Sequence, residues 1–326
     1  MKKIIQYSEI TIIIVIIINI IYGLFMKTKL TNSNEEFLKL LLKNQDYYDF
    51  YIKDYNSILN RTIRYITNIN IKDPTSILNK TIKYKKEKTK SVFYTTSSDN
   101  LEDINTNSKY IEDPIKEKEI TNPIIYIYNT HQLESYEKKI YEDYDITPNV
   151  MMASYILREN LNNKNINTIV ETNNITDFLN VNGWDYSKSY DASRYYIKDT
   201  LNKYPNLKLL IDIHRDSINK KLSTITINNK KYAKVLFVIG LKNKNYKNNL
   251  EVANKLDNII NNNYPGLSRG IMKKEGKYVN GIYNQDLNNN IILIELGGTY
   301  NTIEEVMNTS IALSDVIEKY LEEQNG

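Results

Sequence analysis

The sequence predicts an α/β domain in which a mostly parallel sheet lies between layers of helices. From residue 123 onward, short apolar runs alternate with segments of helical periodicity. Continuous runs of Ile, Leu and Val are typical of strands buried on both faces, and their alternation with helices favours parallel pairing. Residues 1–29 hold a longer apolar run, and residues 30–122 lack this alternation. We therefore expect a membrane anchor (1–29), a stalk (30–122) and a folded domain (123–326).

The apolar run at residues 10–26 predicts a single transmembrane helix. Only three residues interrupt it, namely Thr11, Asn19 and Gly23. A membrane span needs about 20 apolar residues, whereas the apolar core of a signal peptide has about 7–15 and ends at a small-residue cleavage site. No such site follows here, so we expect an uncleaved anchor, with a cleaved signal peptide as the alternative. The short N-terminal flank favours an amino terminus inside the cell.

The stalk is predicted to contain one helix, over residues 34–66, followed by a solvated linker. Ser33 is a suitable N-cap, and Glu35 and Glu36 in the first turn complement the helix dipole. This helix packs on its own domain or on a partner, or it binds another membrane protein. The charged run at residues 83–90 cannot bury enough apolar surface to order itself.

The folded domain contains a regular series of predicted elements. In chain order, the strands are IIYIY, NTIVE, LKLLIDI, a hairpin ITINNKKYAKVLFVIG that turns at Asn228 and Asn229, and NIILIEL. The helices are PNVMMASYILRENLNN, YDASRYYIKDTLNKY, NLEVANKLDNIINNNY and NTIEEVMNTSIALSDVIEKYLEE. Asn301 and Glu304 are a candidate capping box for the last helix.

Composition excludes several kinds of chemistry. The chain has no cysteine, which excludes disulfides, thiolate nucleophiles and cysteine metal sites. Its 43 basic and 39 acidic residues are too evenly balanced to suggest a nucleic-acid partner. Only two histidines occur, and each follows a predicted buried strand.

These histidines belong to a candidate metal site. Ligands of parallel sheets bind at the carboxyl ends of the strands, where His131, His214 and Glu295 are all predicted to lie. His131 and Glu134 form an H-x-x-E pair, and two histidines with one glutamate are a common ligand set for catalytic zinc. The alternative is that each histidine is a buried core residue with no chemical role.

Glu295 is the candidate general base. A carboxylate near the end of an apolar strand costs several kcal/mol unless it has a partner, so a functional reason is expected. Zinc-assisted hydrolysis needs a separate carboxylate that accepts the proton of the attacking water. Asp212 points to the same side of its strand as His214, so it either orients that imidazole or caps the following turn. Tyr283, Asn284 and Gln285 are candidate hydrogen-bonding partners for a peptide or sugar.

Six segments in the same order resemble a known family. They are IYIYNTHQLESY, LLIDIHRDS, YAKVLFVIG, NLEVANKLDNIINNNYPGLSRGI, YNQDL and LIELGGTYNTIEEV. Together they resemble the stage II sporulation protein P family of bacterial cell-wall hydrolases, which are related in fold to N-acetylmuramoyl-L-alanine amidases. The resemblance covers residues 123–326 and implies a three-layer zinc amidase/carboxypeptidase-like (phosphorylase/hydrolase-like) domain.

The resemblance also implies an activity and a setting. It implies that Zn²⁺ is held by His131, Glu134 and His214, and that Glu295 activates water. The expected substrate is peptidoglycan, cut at the amide between N-acetylmuramic acid and the stem peptide and also at peptide cross-links. The expected setting is sporulation engulfment, on the wall side of the cell membrane, with stage II sporulation proteins D and M as partners.

One residue departs from the family pattern. The family usually reads His-Thr-His in the first motif, and this chain has Asn129-Thr130-His131. Two alternatives therefore stay open beside the amidase. One is a catalytically impaired scaffold or wall-binding protein of the same fold, and the other is a carboxypeptidase-like enzyme that trims stem peptides.

Overall fold

A computed structural model gives the structure of the chain, and the described residues fall into two compact units. The described residues are 13–18, 33–39, 41–42, 108–115, 120–138 and 146–325. The first unit holds those up to residue 42 together with Ile146, and the second holds the others. Residues 13–18 are helical and their Ile and Val side chains are exposed. The predicted span, residues 10–26, lies mostly outside the described ranges, within which no helix is long and apolar enough to cross a membrane.

The described part of the stalk begins a helix as predicted. The Ser33 hydroxyl accepts a hydrogen bond from the backbone N–H of Glu36 at 3.1 Å, which confirms the predicted N-cap. Phe37 and Leu38, in the first turns, are buried. The remainder of the predicted helix and the charged linker at 83–90 lie outside the described residues.

The second unit is built on a six-stranded sheet and a separate hairpin. Its strands are β1 (Ile125–Tyr128), β2 (Thr168–Val170), β3 (Leu209–Asp216), β4 (Thr224–Ile227), β5 (Lys230–Ala233), β6 (Val235–Gly240), β7 (Ser268–Lys274) and β8 (Ile291–Gly298). The sheet order is β2-β1-β3-β8-β6-β7, and β4 pairs with β5 alone. Every pair in the large sheet is parallel except β6 with β8. The prediction of a mostly parallel α/β sheet is therefore confirmed.

Helices cover both faces of this sheet. They are α1 (Val150–Asn163), α2 (Ile175–Val181), α3 (Ser189–Lys203), α4 (Lys220–Ser223), α5 (Tyr246–Asn263) and α6 (Ile303–Asn325). Ile197 of α3 packs with Tyr126, Tyr128 and Leu210 on one face. The other face carries fully buried isoleucines and is covered by α1, α5 and α6, of which α6 contacts the other two. Strands buried on both sides explain the continuous apolar runs in the sequence.

The predicted hairpin was right in its turn and wrong in its second strand. Asn228 and Asn229 both have positive φ, 49° and 63°, as a two-residue type I′ turn requires. The second strand ends at Ala233, however, and VLFVIG continues as β6 in the large sheet. All six residues of β6 are buried. In a solvent-facing hairpin, alternate residues of the strand would be exposed. The prediction had merged two strands into one.

Three other details differ from the sequence expectation. Strand β7 was missed because SRGIMKK is polar, as suits the edge of the sheet, and α2 was missed as well. The capping box of α6 is shifted by one residue. Thr302 and Glu305 make its reciprocal bonds, since Glu305 accepts the Thr302 N–H at 3.1 Å and donates its own to the Thr302 hydroxyl at 3.4 Å.

Candidate active site

Three predicted ligands meet at the carboxyl edge of β1 and β3. The Glu134 N–H donates to the carbonyl of His131 at 3.1 Å, so one tight turn after β1 holds both residues. The rings of His131 and His214 are 5.2 Å apart between centroids and nearly perpendicular, at 80°. Glu134 Oε2 lies 3.4 Å from His214 Nδ1. The structure thus brings together both histidines and the glutamate of the H-x-x-E pair.

His131 is buried with its ring nitrogens unsatisfied. Neither nitrogen has a hydrogen-bond partner among the described residues. The ring stacks on Tyr186 at 4.8 Å and meets the edge of Tyr190 at 5.4 Å. Burial, reinforced by the nearby charge of His214, lowers the pKa of His131 to about 4. At neutral pH its imidazole is uncharged, which is the form that binds metal ions.

His214 lies between two carboxylates. Its Nδ1 faces Glu134, and its Nε2 lies 3.1 Å from Asp212 Oδ2. Burial alone would lower the pKa of His214, but Asp212 and Glu134 outweigh it and raise that pKa well above its ordinary value. Burial would likewise raise the pKa of Glu134, yet His214 and Arg215 bring it down to about 2. In the metal-free protein this is an imidazolium held by two carboxylates, and a bound cation would replace its proton.

Asp212 orients His214 and does not cap the following turn. It accepts hydrogen bonds from the Thr130 N–H at 3.0 Å and the Thr130 hydroxyl at 2.7 Å, which fix its carboxylate beside the imidazole. The turn after β3 is capped by Asp216, whose side chain accepts the N–H of Ser217 at 2.7 Å. A carboxylate on the second nitrogen of a histidine is the usual support for a metal ligand.

Glu295 pairs with His214 in the register of β3 and β8. Its side chain is buried, and its Oε2 has no hydrogen-bond partner within the described part of the chain. Burial, followed by the nearby carboxylate of Asp216, raises the pKa of Glu295 to about 8. The candidate base therefore keeps a free oxygen on the face of the sheet that also carries His214.

Two further charged residues, Asp216 and Arg269, complete this edge. Sequence reasoning paired Asp216 with Arg215 and missed Arg269. Arg269 Nη2 pairs with Asp216 Oδ2 at 2.7 Å. Arg269 lies near the start of β7, and this start reaches the carboxyl edge of β8 because β6 and β7 run opposite to β8. Nothing in the segment SRG distinguishes this segment from an ordinary polar loop. Only the direction of β6 and β7 could have shown that Arg269 lies at this edge.

The departure at Asn129 lies away from this cluster. Its amide donates to the carbonyl of Ile213 at 2.7 Å, and its carbonyl oxygen accepts from the Ser154 hydroxyl at 2.9 Å. Ser154 belongs to α1, which covers the face opposite Asp212 and His214. The side chain at position 129 therefore joins β3 to α1 through hydrogen bonds to Ile213 and Ser154.

The cluster suits a zinc ion by donor type, although it is not arranged around one. Among the residues that the structure describes, no three His, Asp or Glu side chains form a group spaced to hold a metal. Two imidazoles and one carboxylate are nonetheless a typical ligand set for catalytic zinc. The unsatisfied nitrogens of His131 give the same indication, because buried polar atoms are almost always paired.

Comparison with known proteins places the chain in a family. The model of the family Stage II sporulation protein P (SpoIIP) matches residues 50–318. The stage II sporulation protein P of Bacillus subtilis (strain 168) is 38% identical over 211 residues, which are 63% of this chain and 53% of that protein. The chain thus spans about half the length of this relative.

A likeness to a solved structure is more distant. Cwp6 from Clostridium difficile shares 18% sequence identity with a TM-score of 0.38, over 64% of this chain and 31% of that chain. This likeness is too remote to bear on fold or function. The family model, in contrast, covers most of the chain, including His131, Glu134, His214 and Glu295. The chain therefore belongs to the stage II sporulation protein P family.

Proposed function

We propose that this chain is a zinc-dependent hydrolase of peptidoglycan that acts during sporulation engulfment. The bond cleaved is the amide between N-acetylmuramic acid and the stem peptide, with peptide cross-links as a second target. One observation supports this most strongly. The two histidines of the chain meet Glu134 at one edge of the sheet, with Glu295 on the neighbouring strand.

His131, Glu134 and His214 would hold the ion. A bound zinc lowers the pKa of a water molecule toward about 7 and polarises the scissile carbonyl. The protein prepares the ligands for this. Asp212 holds the ring of His214 through its contact with Nε2, and Tyr186 packs on the ring of His131 and keeps bulk water from it.

Glu295 would move the proton. Its Oε2 accepts a proton from the attacking water and returns it to the leaving amine nitrogen. A group exchanges protons most effectively when its pKa lies near the working pH, and burial gives Glu295 a pKa of about 8. A cation at the neighbouring ligands would lower that pKa, as the charge of His214 already does. Glu295 would then be ionised when it must act as a base.

The proposed location and partners rest on the predicted anchor and on the family resemblance. The apolar run at 10–26 would hold the chain in the cell membrane, with the hydrolase domain on the wall side. Stage II sporulation proteins D and M are the proposed partners. Extraction of membranes with alkaline carbonate tests the anchor, because a chain with a transmembrane helix stays in the pellet and a peripheral one does not.

The catalytic proposal is tested on the full chain in detergent. We expect the wild type to bind close to one zinc and to clear peptidoglycan in a zymogram. Glu295→Gln should keep the zinc and lose the clearing, because only the proton acceptor is removed. Glu251→Gln is the matched control, since Glu251 is exposed on α5 and pairs with Lys255. A wild type that binds zinc and clears nothing would contradict the proposal.

The two alternatives make different predictions. A scaffold or wall-binding protein would bind peptidoglycan without degrading it, and its support was Asn129, whose side chain bonds Ile213 of β3 and Ser154 of α1. A carboxypeptidase-like enzyme would release free terminal amino acids. Mass spectrometry of digested muropeptides separates that enzyme from the amidase, which releases whole stem peptides.

A further inference from the structure

The segment that contains Tyr283 and Asn284 has an unusual backbone. Both residues have positive φ, 53° and 56°, a conformation that residues other than glycine rarely adopt. Asparagine tolerates it better than most residues do, whereas tyrosine has no such preference. This turn aims the side chain of Asn284 at the first turns of α3. Its amide donates to the Tyr190 carbonyl at 3.0 Å and to the Ser193 hydroxyl at 2.9 Å.

A continuous series of hydrogen bonds leads from Asn284 to Asp212, whose carboxylate forms an ion pair with the candidate ligand His214. The Ser193 and Thr130 hydroxyl oxygens are 2.9 Å apart, and the Thr130 hydroxyl donates to Asp212 Oδ2 at 2.7 Å. Asp212 Oδ2 is the oxygen that lies 3.1 Å from His214 Nε2. The side chains along this path are all buried, so water does not compete for their bonds.

The hydrogen bonds along this path are all donated in the same direction, from Asn284 toward Asp212. A carboxylate paired with a histidine only accepts, so the single hydroxyl proton of Thr130 is committed to Asp212. The contact between the hydroxyls of Thr130 and Ser193 must then be donated by Ser193. Ser193 in turn accepts an amide proton of Asn284.

The other acceptor within reach of the Ser193 proton is the less favourable one. The Tyr190 carbonyl lies 3.3 Å from Ser193 Oγ, farther than the Thr130 hydroxyl. That carbonyl already accepts the second amide proton of Asn284 at 3.0 Å. Each donor in the path therefore has one best acceptor, and a buried hydrogen-bonded network of this kind fixes the orientation of its members.

We propose that Asn284 and Ser193 are positioning residues for His214, acting through Thr130 and Asp212. The expected effect on zinc binding rests on the proposed function. The positioning of the His214 ring does not depend on it, because the path reaches this ring in the metal-free protein. The strained turn at 283–284 is then explained as the conformation that delivers the amide to α3.

Two substitutions break the path in different places. Ser193→Ala removes the central hydroxyl and suits a helix. Asn284→Asp keeps a residue that tolerates positive φ and cannot donate to Ser193. Ser314→Ala is the matched control, because Ser314 is also buried in a helix, while its hydroxyl donates to the carbonyl of Ile311 at 2.7 Å and so lies outside the path. Circular dichroism confirms that each variant is folded.

The chain's two histidines make a direct measurement possible. With ¹⁵N-labelled histidine, the metal-free full chain in detergent gives one pair of ring-nitrogen signals for each histidine, assigned by His131→Gln and His214→Gln. We expect Ser193→Ala and Asn284→Asp to shift the His214 signals and leave those of His131 in place. Zinc affinity, measured by competition with a chromophoric chelator, should fall by about tenfold, as expected for support outside the ligands.

The outcomes are distinct. Unchanged His214 signals in both variants would overturn the proposal, and so would Ser314→Ala producing the same shifts. A wild type that binds no zinc would refute the proposed function instead, and the His214 signals would still decide whether these residues position the ring.

Discussion

Glu295 and His214 occupy paired positions on neighbouring parallel strands, so their side chains leave the same face of the sheet. The strand register alone brings an uncharged carboxyl group close to an imidazolium. Burial and the carboxylate of Asp216 raise the pKa of Glu295 to about 8, although the charge of His214 acts to lower it.

The raised pKa of Glu295 predicts a pH-dependent stability. The folded chain keeps this proton up to about pH 8, whereas an unfolded glutamate releases it near 4.5. The stabilising contribution is complete below the unfolded pKa and is lost as the pH rises toward 8. Each pKa unit corresponds to about 1.4 kcal/mol, so metal-free wild type should lose about 2–3 kcal/mol relative to Glu295→Gln between pH 5 and pH 7. Urea unfolding of both proteins at both pH values measures this difference. The same difference in free energy of unfolding at pH 5 and pH 7 would contradict the prediction.

A histidine at position 129, which the sequence resemblance leads one to expect there, should not improve metal binding. Asn129→His removes the hydrogen bonds to Ile213 and Ser154. A buried group left unpaired costs about 1–3 kcal/mol, so the free energy of unfolding should fall by that amount while zinc affinity stays unchanged. Asn261→His, on the exposed part of α5, controls for an added histidine. Tighter zinc binding by Asn129→His alone would show that the position reaches the site.

The two histidines should differ when they are removed. Both His131→Ala and His214→Ala should weaken zinc binding by more than about 100-fold, beyond the range for outer supporting residues. In the metal-free protein, however, His214→Ala leaves Glu134 and Asp212 without their shared cation, which costs about 3–5 kcal/mol. His131→Ala removes nitrogens that lack partners among the described residues and should cost less. Urea unfolding of both variants tests this contrast, and equal losses would contradict it.

The Arg269–Asp216 pair should behave as a coupled unit. Both side chains are largely buried, so Arg269→Met leaves Asp216 uncompensated and should destabilise the chain by about 3–5 kcal/mol. Adding Asp216→Asn should recover most of that loss. A double-mutant cycle in urea gives the coupling energy, and additive effects of the two substitutions would show that the pair is not coupled.

Much of the fold could be predicted because its strands are buried on both faces. Runs such as LLIDI and IILIEL are apolar without alternation, and the polar residues that follow mark the edge where ligands bind. The same reasoning placed His131, Glu134, His214 and Glu295 at that edge, and the structure brings the first three together.

Other features had no local signal. An apolar run such as VLFVIG does not reveal its direction, so the antiparallel placement of β6 was not foreseen. Arg269 depended on that direction and was missed with it. The position of Asn129 was also hidden, because side-chain alternation cannot be followed beyond the end of a strand. Ser193 and Asn284 are ordinary polar residues until the fold places them in one buried path.

The central position of β8 governs the order in which this domain can be assembled. It is the last strand in the chain among the described residues, yet it separates β3 from β6. A nascent polypeptide that has not reached Ile291 leaves two long apolar edges without a partner, which favours aggregation. Premature termination upstream of β8 should therefore give an insoluble product and not a partly active one. Glu295 arrives with this same strand, so the ribosome completes the sheet and supplies the proposed base in a single stretch of synthesis.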